Sequence, residues 1–300
     1  MSPGGAGSRL DAGVAAVCGL SRRRVRALSS AGAIWLNGRP ARILSHALVT
    51  GDVVDVIAEG ERLVSPPPPL QLPVLLDDGW LVAVDKPAGI ASQARATRRE
   101  GELTVPELAT IQLSFAAGHR RDLLQLHRLD RITSGVMVFA LQHEAASRLA
   151  HCWETGEVRK RYLAVVRGDP GEQPLTVTAP IARDPLVPSR FRVAPSGRAS
   201  RSEVKRLANF KELSLVEVRP LSGRTHQIRI HLAHAGFPVA GDTLYGGGSA
   251  VPRAFLHAWR LELPHPRDKR PLRLEAPLPS DLRDLLAAAG VPLREVLPKS

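Results

Sequence analysis

Residues Leu126 to Leu141 read LHRLDRITSGVMVFAL, a knot of charged side chains that runs directly into an apolar stretch of strand length. GVMVFAL, from Gly135 to Leu141, offers solvent no polar side chain on either face, so it fits only a strand buried on both sides. The charged residues before it are therefore tethered to the core. Asp130 lies in that tether. A carboxylate held there can lose water on one side and still face a cleft, the setting in which it acts as nucleophile or base. Taken alone, the same Asp serves equally well as the residue that turns the chain into the strand.

Such a strand needs layers to cover it. LVAVDKP, RYLAVVRG and SLVEVRP have strand character, and helical spacing appears from Glu144 to Trp153 and from Thr225 to Ala235. Together they predict a mixed α/β domain of the α+β class spanning residues 74–290. Ahead of it, residues 1–8 are rich in Gly and Ser and predict a disordered tail. Leu10, Val14 and Val17 recur at helical spacing, and a second helix begins after Ser21, an N-cap residue type, and stops at Gly32. Asn37-Gly38 between apolar residues signals a hairpin, and GDVVDVI from Gly51 to Ile57 a further strand. Residues 9–60 are thus expected to form a small ααβ-type module. ERLVSPPPPLQLP, at 61–73, reads as a semi-rigid proline-rich linker, which places the domain boundary there. Residues 291–300 read as a C-terminal tail.

The chain has 41 Lys and Arg against 29 Asp and Glu, a net charge of +12 over 300 residues. That balance favours a polyanionic partner, unless it reflects only a general preference for arginine. The placement of the arginines decides between these. In SRRRVRAL, steps of about 100° per residue bring Arg22, Arg23 and Arg26 into one arc, with Val25 and Leu28 on the other side. A solvated helix face would look the same, but arginine concentrated opposite an apolar seam suits phosphate contact. No run of 18 apolar residues and no leader pattern appears, so a cytoplasmic location is expected, with no membrane association. Cys18 and Cys152 are far apart and outside any CxxC pattern. His127, His226, His231 and His234 lack the HExxH spacing and the clustered partners of a metal site, so no metal is expected. His226 and His231 suit hydrogen-bonded framework or RNA contact. The glycines at 246–248 lack the Lys-Ser/Thr of a phosphate loop and read as a plain loop.

HRLDRITSG closely resembles the signature of the RluA-type pseudouridine synthases. Further motifs follow in that family's order: VDKPAGI from Val84, KRYLAVVRG from Lys160, GRTHQIRIHLAHAGFPVAGDTLYG from Gly223 and LHAWRLELPHP from Leu256. The amino-terminal module resembles the small RNA-binding domain named after ribosomal small-subunit protein four. The resemblance implies a catalytic domain built on a largely antiparallel sheet and isomerisation of uridine within RNA without a cofactor: the base is detached at its ring nitrogen, turned, and rejoined to the ribose through carbon 5. It implies that Asp130 is the catalytic carboxylate, attacking the substrate or taking a ribose proton. Either role needs the ionised form and hence a cation beside it, for which the motif supplies Arg229. Ile228, Leu232 and Ala235 form the apolar face of that helix, with Arg229 at its edge, half buried and able to reach a cleft. Tyr162 matches the aromatic that stacks on the target uracil. Arg128 matches an arginine that contacts the nucleic acid and fills the space of the flipped nucleotide, and His127 and His226 join the expected RNA contacts. Flipping is required because a stacked uridine hides its glycosidic bond.

The chain departs from the family pattern at ASQARATRREGELTV, Ala91 to Val105, where a short loop containing His and Pro is usual. The stretch from Thr178 to Arg201 reads as a second RNA-facing excursion. The expected substrate is ribosomal RNA ahead of transfer RNA, bound by a monomer. The alternative is a non-catalytic RNA-binding or ribosome-assembly protein that keeps the fold.

Overall fold

In the computed structural model, residues 7–30, 33–37, 39–41, 43–56, 71–93, 102–117, 121–187, 189–249 and 251–297 are described. The chain divides into one unit of residues Met1–Leu72 and Thr97–Leu123 and another of Pro73–Ala96 and Leu124–Ser300.

In the first unit, helix α1 (Leu10–Cys18) buries Leu10 and Val14, one turn apart, and ends at Gly19 in the left-handed conformation (φ 65°). Helix α2 (Arg22–Ser30) follows, with the Ser21 hydroxyl accepting the Arg24 N–H at 3.2 Å as its cap. Val25 and Leu28 point into the core while Arg22, Arg23 and Arg26 are exposed. Strands β1 (Ile34–Leu36) and β2 (Arg39–Pro40) pair antiparallel through Leu36 and Arg39, leaving two residues to join them. Strand β3 (Val54–Val56) adds to the other edge of β1. Leu10, Val14, Val25, Leu28, Ile34, Ala41 and Val56 form the core of this unit.

Two expectations are corrected here. Gly7 and Ser8 belong to the ordered structure and not to a tail, because Gly7 N–H donates to Leu48 O at 2.7 Å and Leu48 N–H donates to Ser8 O at 2.8 Å. Helix α3 (Val105–Ala117), assigned from sequence to the catalytic domain, groups with the first unit, and the Gln112 side chain bonds both the N–H and the carbonyl of buried Leu72 at 2.8 Å. The linker's final residues are thus anchored. Residues 1–6, Gly32, Gly38, the linker from 61 to 70 and most of the divergent 91–105 segment lie outside the described residues.

The second unit is built on a ten-stranded sheet. Its strands are β4 (Val74–Asp77), β5 (Leu81–Lys86), β6 (Leu124–Gln125), β7 (Ser134–Ala140), β8 (Arg159–Arg167), β9 (Leu175–Thr178), β12 (Arg201–Phe210), β13 (Leu213–Pro220), β14 (Leu256–Pro264) and β15 (Pro271–Glu275); β10 (Ile181–Arg183) and β11 (Phe191–Val193) form a separate hairpin. The order along the main path is β4-β5-β7-β14-β8-β13-β12-β9, with every pairing antiparallel except β7 with β14. All seven residues of β7 are buried, as the apolar run requires. Gly135 (φ 116°) makes the close approach of β7 to β14 possible, since a Cβ there would collide with the backbone of Ala258.

Alternation along β8 distributes its side chains to two faces. Leu163 and Val165 pack with Leu282 and Leu286 of helix α6 (Ser280–Ala288); Ala164 and Val166 pack with Ile228 and Leu232 of helix α5 (Gln227–His234). Helix α4 (His143–Glu154) covers β5 and β7 with Ala145 and Leu149. The expected C-terminal tail is also corrected: residues 293–296 form helix α7 (Leu293–Val296), and Val291, Leu293, Val296 and Leu297 pack against the α6 core cluster, so apolar burial orders a segment that sequence left as tail.

Candidate active site

The loop before β7 is held by its main chain. The side chain of Lys86, at the end of β5, is wholly buried and donates to the carbonyls of Thr133 (2.7 Å), Pro87 (2.9 Å) and Arg131 (3.2 Å). Burial pulls its pKa down to about 7, against the pull of the Asp130 charge. The Ser92 hydroxyl donates to Leu129 O at 2.8 Å, and Gly89 N–H donates to Arg131 O at 2.7 Å. Between them these bonds fix Leu129, Arg131 and Thr133, and so the backbone on both sides of Asp130.

His127 secures the other side of the strand. β7 is bordered by β14 at Ser134 and Gly135 and by β6 at Phe139 and Ala140, and His127 Nε2 accepts the Val138 N–H at 3.0 Å in the gap between them. Its ring stacks on Trp153 with centroids 5.3 Å apart. Burial, reinforced by Lys160, pushes its pKa down to about 4, so it is a neutral acceptor. The Nε2 of His127, a residue expected to contact RNA, is thus committed to the backbone, while the residue still lines the cavity.

Asp130 faces two groups from the 226–229 segment. Arg229 Nη1 approaches Asp130 Oδ2 at 3.4 Å, and His226 Nε2 lies 3.9 Å from Oδ1. The main partner of Arg229 is a residue that sequence reading passed over. Its Nε donates to Asp242 Oδ2 at 2.6 Å and its Nη2 to Asp242 Oδ1 at 2.9 Å, a bidentate pair buried at both ends. Arg229 is thus more deeply buried than an edge position on α5 implied, with 6% of its side chain exposed. The two carboxylates raise its pKa against the cost of burial. Asp242 takes the short bonds and Asp130 the long one, which leaves Asp130 paired but not saturated. Its side chain keeps 17% exposure.

His226 adopts the left-handed conformation (φ 57°) at the start of α5, a strained choice for a non-glycine residue of the kind found at functional sites. Its Nδ1 lies 2.8 Å from the Tyr245 hydroxyl, which also accepts the Phe191 N–H at 3.1 Å. A neutral imidazole that accepts the phenolic proton at Nδ1 carries its own proton on Nε2, facing Asp130. Burial keeps the imidazole pKa low despite the Asp130 charge. The Tyr245 ring also lies under the Arg229 guanidinium, 4.8 Å from the centroid.

Asp130, Arg229, His226, Tyr162, Arg128 and His127 line one cavity of about 450 Å³, with Lys160, Trp153 and Arg224 among the other lining residues. Tyr162 is held at Val218 and Ala258 by the two strands flanking β8, and burial together with the Asp130 charge raises its pKa, so it enters as the phenol. Arg128 is exposed and donates to Gln93 Oε1 at 3.2 Å. Arg22, Arg23 and Arg26 belong to the first unit and are not among the lining residues. His231 is framework, fully buried against Ser200, Ser202 and Ala179 O. Among the described residues no three His, Cys, Asp or Glu side chains converge as a metal would require, and no helix is long and apolar enough to cross a membrane.

The segment from Trp80 to His234, which carries Asp130, Tyr162 and Arg229, matches the RNA pseudouridylate synthase family model over residues 80–234, and the chain belongs to that family. It is 37% identical over 285 residues to an uncharacterised RNA pseudouridine synthase of Mycobacterium bovis, covering 90% of each chain. It is 34% identical to the ribosomal large subunit pseudouridine synthase D of Xanthomonas campestris, covering 89% of this chain and 85% of that one. Among solved structures, the human RNA pseudouridylate synthase domain containing 4 matches with a TM-score of 0.60 and 25% identity, covering 73% of this chain and 93% of that one.

Proposed function

We propose that the chain isomerises a particular uridine in large-subunit ribosomal RNA, with transfer RNA as second choice, and that Asp130 is the reacting carboxylate. The observation that carries this reading is Asp130 at the cavity wall, 3.4 Å from a buried arginine whose shorter bonds go to Asp242. Asp130 has a cation beside it and stays accessible, as attack on the substrate or removal of a ribose proton demands. Tyr162 stacks on the uracil, the Nε2–H of His226 is available to an oxygen of the reacting base, and Arg128 occupies the space of the extruded nucleotide. A non-catalytic binder has no need of this set.

The first unit is read as an RNA-binding module like that of ribosomal small-subunit protein four, positioned on phosphates by Arg22, Arg23 and Arg26. The protein acts as a cytoplasmic monomer without a cofactor. Pseudouridine mapping of total RNA from cells with and without the gene, and with Asp130→Asn, tests the reading. One site should vanish in the deletion and stay absent with the variant; if no site disappears, the enzymatic reading fails.

A further inference from the structure

Lys160 and Tyr162 lie two residues apart on β8, hence on the same face of the strand and about 7 Å apart along it. Both line the cavity. Several arginines of the sheet are matched with acids: Arg161 with Glu217 and Glu262, Arg260 with Glu275, Arg206 with Asp169 and Glu172. Lys160 is not. Among the described residues no carboxylate lies within 4 Å of its ammonium, and its one hydrogen bond is a long contact of 3.4 Å to Ser222 O. It is half buried, and burial without a counter-charge lowers its pKa. A desolvated ammonium without an acid is costly, and an anion entering the cavity would offset that cost.

The other walls narrow the choice of anion. Leu126, His127 and Trp153 line the same cavity, with the His127 and Trp153 rings stacked. An aromatic wall beside a lone cation suits a nucleotide, whose base takes the flat surface and whose phosphate takes the charge. We propose that Lys160 seats a backbone phosphate of the target nucleotide while Tyr162 receives its base. This rests on the reading of the site as a uridine-isomerising one. It makes Lys160 a positioning residue that sets how deeply the nucleotide enters, and so whether its sugar reaches Asp130.

The test uses synthetic RNA containing the mapped uridine, with a neutral methylphosphonate at the linkage immediately 5′ or immediately 3′ of it. At one of the two positions the wild type should lose about tenfold or more in kcat/KM, as expected for a charge-assisted contact. Lys160→Met should lose a similar factor on unmodified RNA, with KM affected more than kcat, and lose nothing more from the same methylphosphonate. Lys160→Arg should recover most of the loss, and the salt dependence of binding should flatten in Lys160→Met by about one counter-ion. A merely structural lysine would give losses that multiply and an unchanged salt slope, which would overturn the proposal. If Lys160→Met does not fold, wild-type indifference to both methylphosphonates overturns it equally. Should the wild type modify no uridine, the functional reading fails by itself. The phosphate seat is then read from binding of uridine 5′-monophosphate and 3′-monophosphate against uridine: a preference for one monophosphate that Lys160→Met erases supports it, and no preference in the wild type overturns it.

Discussion

Helices α2 and α5 both carry arginine, and they put it to opposite uses. On α2, Arg22, Arg23 and Arg26 stand exposed above Val25 and Leu28. On α5, Arg229 is sunk between Asp242 and Asp130 with 6% of its side chain exposed. An exposed guanidinium keeps its charge available to a polyanion and adds little to stability. A buried one is committed to its carboxylates, and removing it leaves two acids without a counter-charge. On the proposed reading, recruitment and chemistry are therefore separable by mutation.

The largest effect is expected at the carboxylate that the buried arginine serves. Asp130→Asn should reduce pseudouridine formation by at least about 10⁴-fold, on the scale of losing an essential group, while thermal unfolding stays near that of the parent. Appreciable turnover by this variant would remove Asp130 from the chemistry. Arg229→Met comes next, with a loss of about 3–5 kcal/mol in unfolding free energy from stranding Asp242 and Asp130, and activity lost along with it. A variant as stable as the parent in a denaturant titration would show that the pair contributes little.

Acid adds a second contrast, because it reaches the buried imidazoles. His127 and His257 both have pKa values pushed down by burial to about 4 from 6.5. Between those values the unfolded chain takes up protons that the folded chain refuses, so the contribution of these two groups is flat above pH 6.5 and falls as the pH drops towards 4. Each imidazole accounts for at most about 3 kcal/mol of that loss. His127→Gln keeps an acceptor for the Val138 N–H but cannot titrate, so its acid slope should be shallower; an unchanged slope would point away from His127.

Tyr245→Phe removes the hydroxyl shared by Phe191 and His226. A cost of about 1–2 kcal/mol is expected, appearing as a fall in kcat of about tenfold with little change in KM. A nitrogen-15 NMR spectrum that shows His226 unprotonated at Nε2 in the parent would contradict the assigned tautomer. Smallest in its effect on chemistry is the triple replacement of Arg22, Arg23 and Arg26 by Gln. It should leave unfolding within about 0.5 kcal/mol of the parent and turnover at saturating RNA intact, while binding weakens and its salt slope falls by up to about 3.

Strand β7, the hairpin at Asn37 and the helix carrying Arg229 were legible because each rests on local periodicity or turn chemistry. Asp130 was legible only as a position; the motif supplied its role. Asp242 was passed over because GDTLYG reads as an ordinary turn, and nothing local says that its carboxylate meets an arginine 13 residues earlier. The backbone bond of His127 was passed over for a related reason. Its task depends on a gap between the two strands that border β7, a fact of sheet topology. The grouping of residues 97–123 with the first unit follows from long-range packing, such as Gln112 on Leu72, which leaves no mark in the segment itself. Lys86 could have been suspected, since a lysine closing the apolar strand LVAVDK must either emerge or find carbonyls.

Those three carbonyls bear on how the protein tolerates change. Arg131 and Thr133 are held through main-chain oxygens, and Gly135 meets Ala258 backbone to backbone, so the position of Asp130 is specified by atoms that every residue type possesses. The cavity lining can therefore drift, or be redesigned towards another nucleotide, without relocating the carboxylate. Gly135 has no such latitude, for even one added methyl group would part the two central strands, and Lys86 has little, for few side chains can donate three hydrogen bonds from one buried atom.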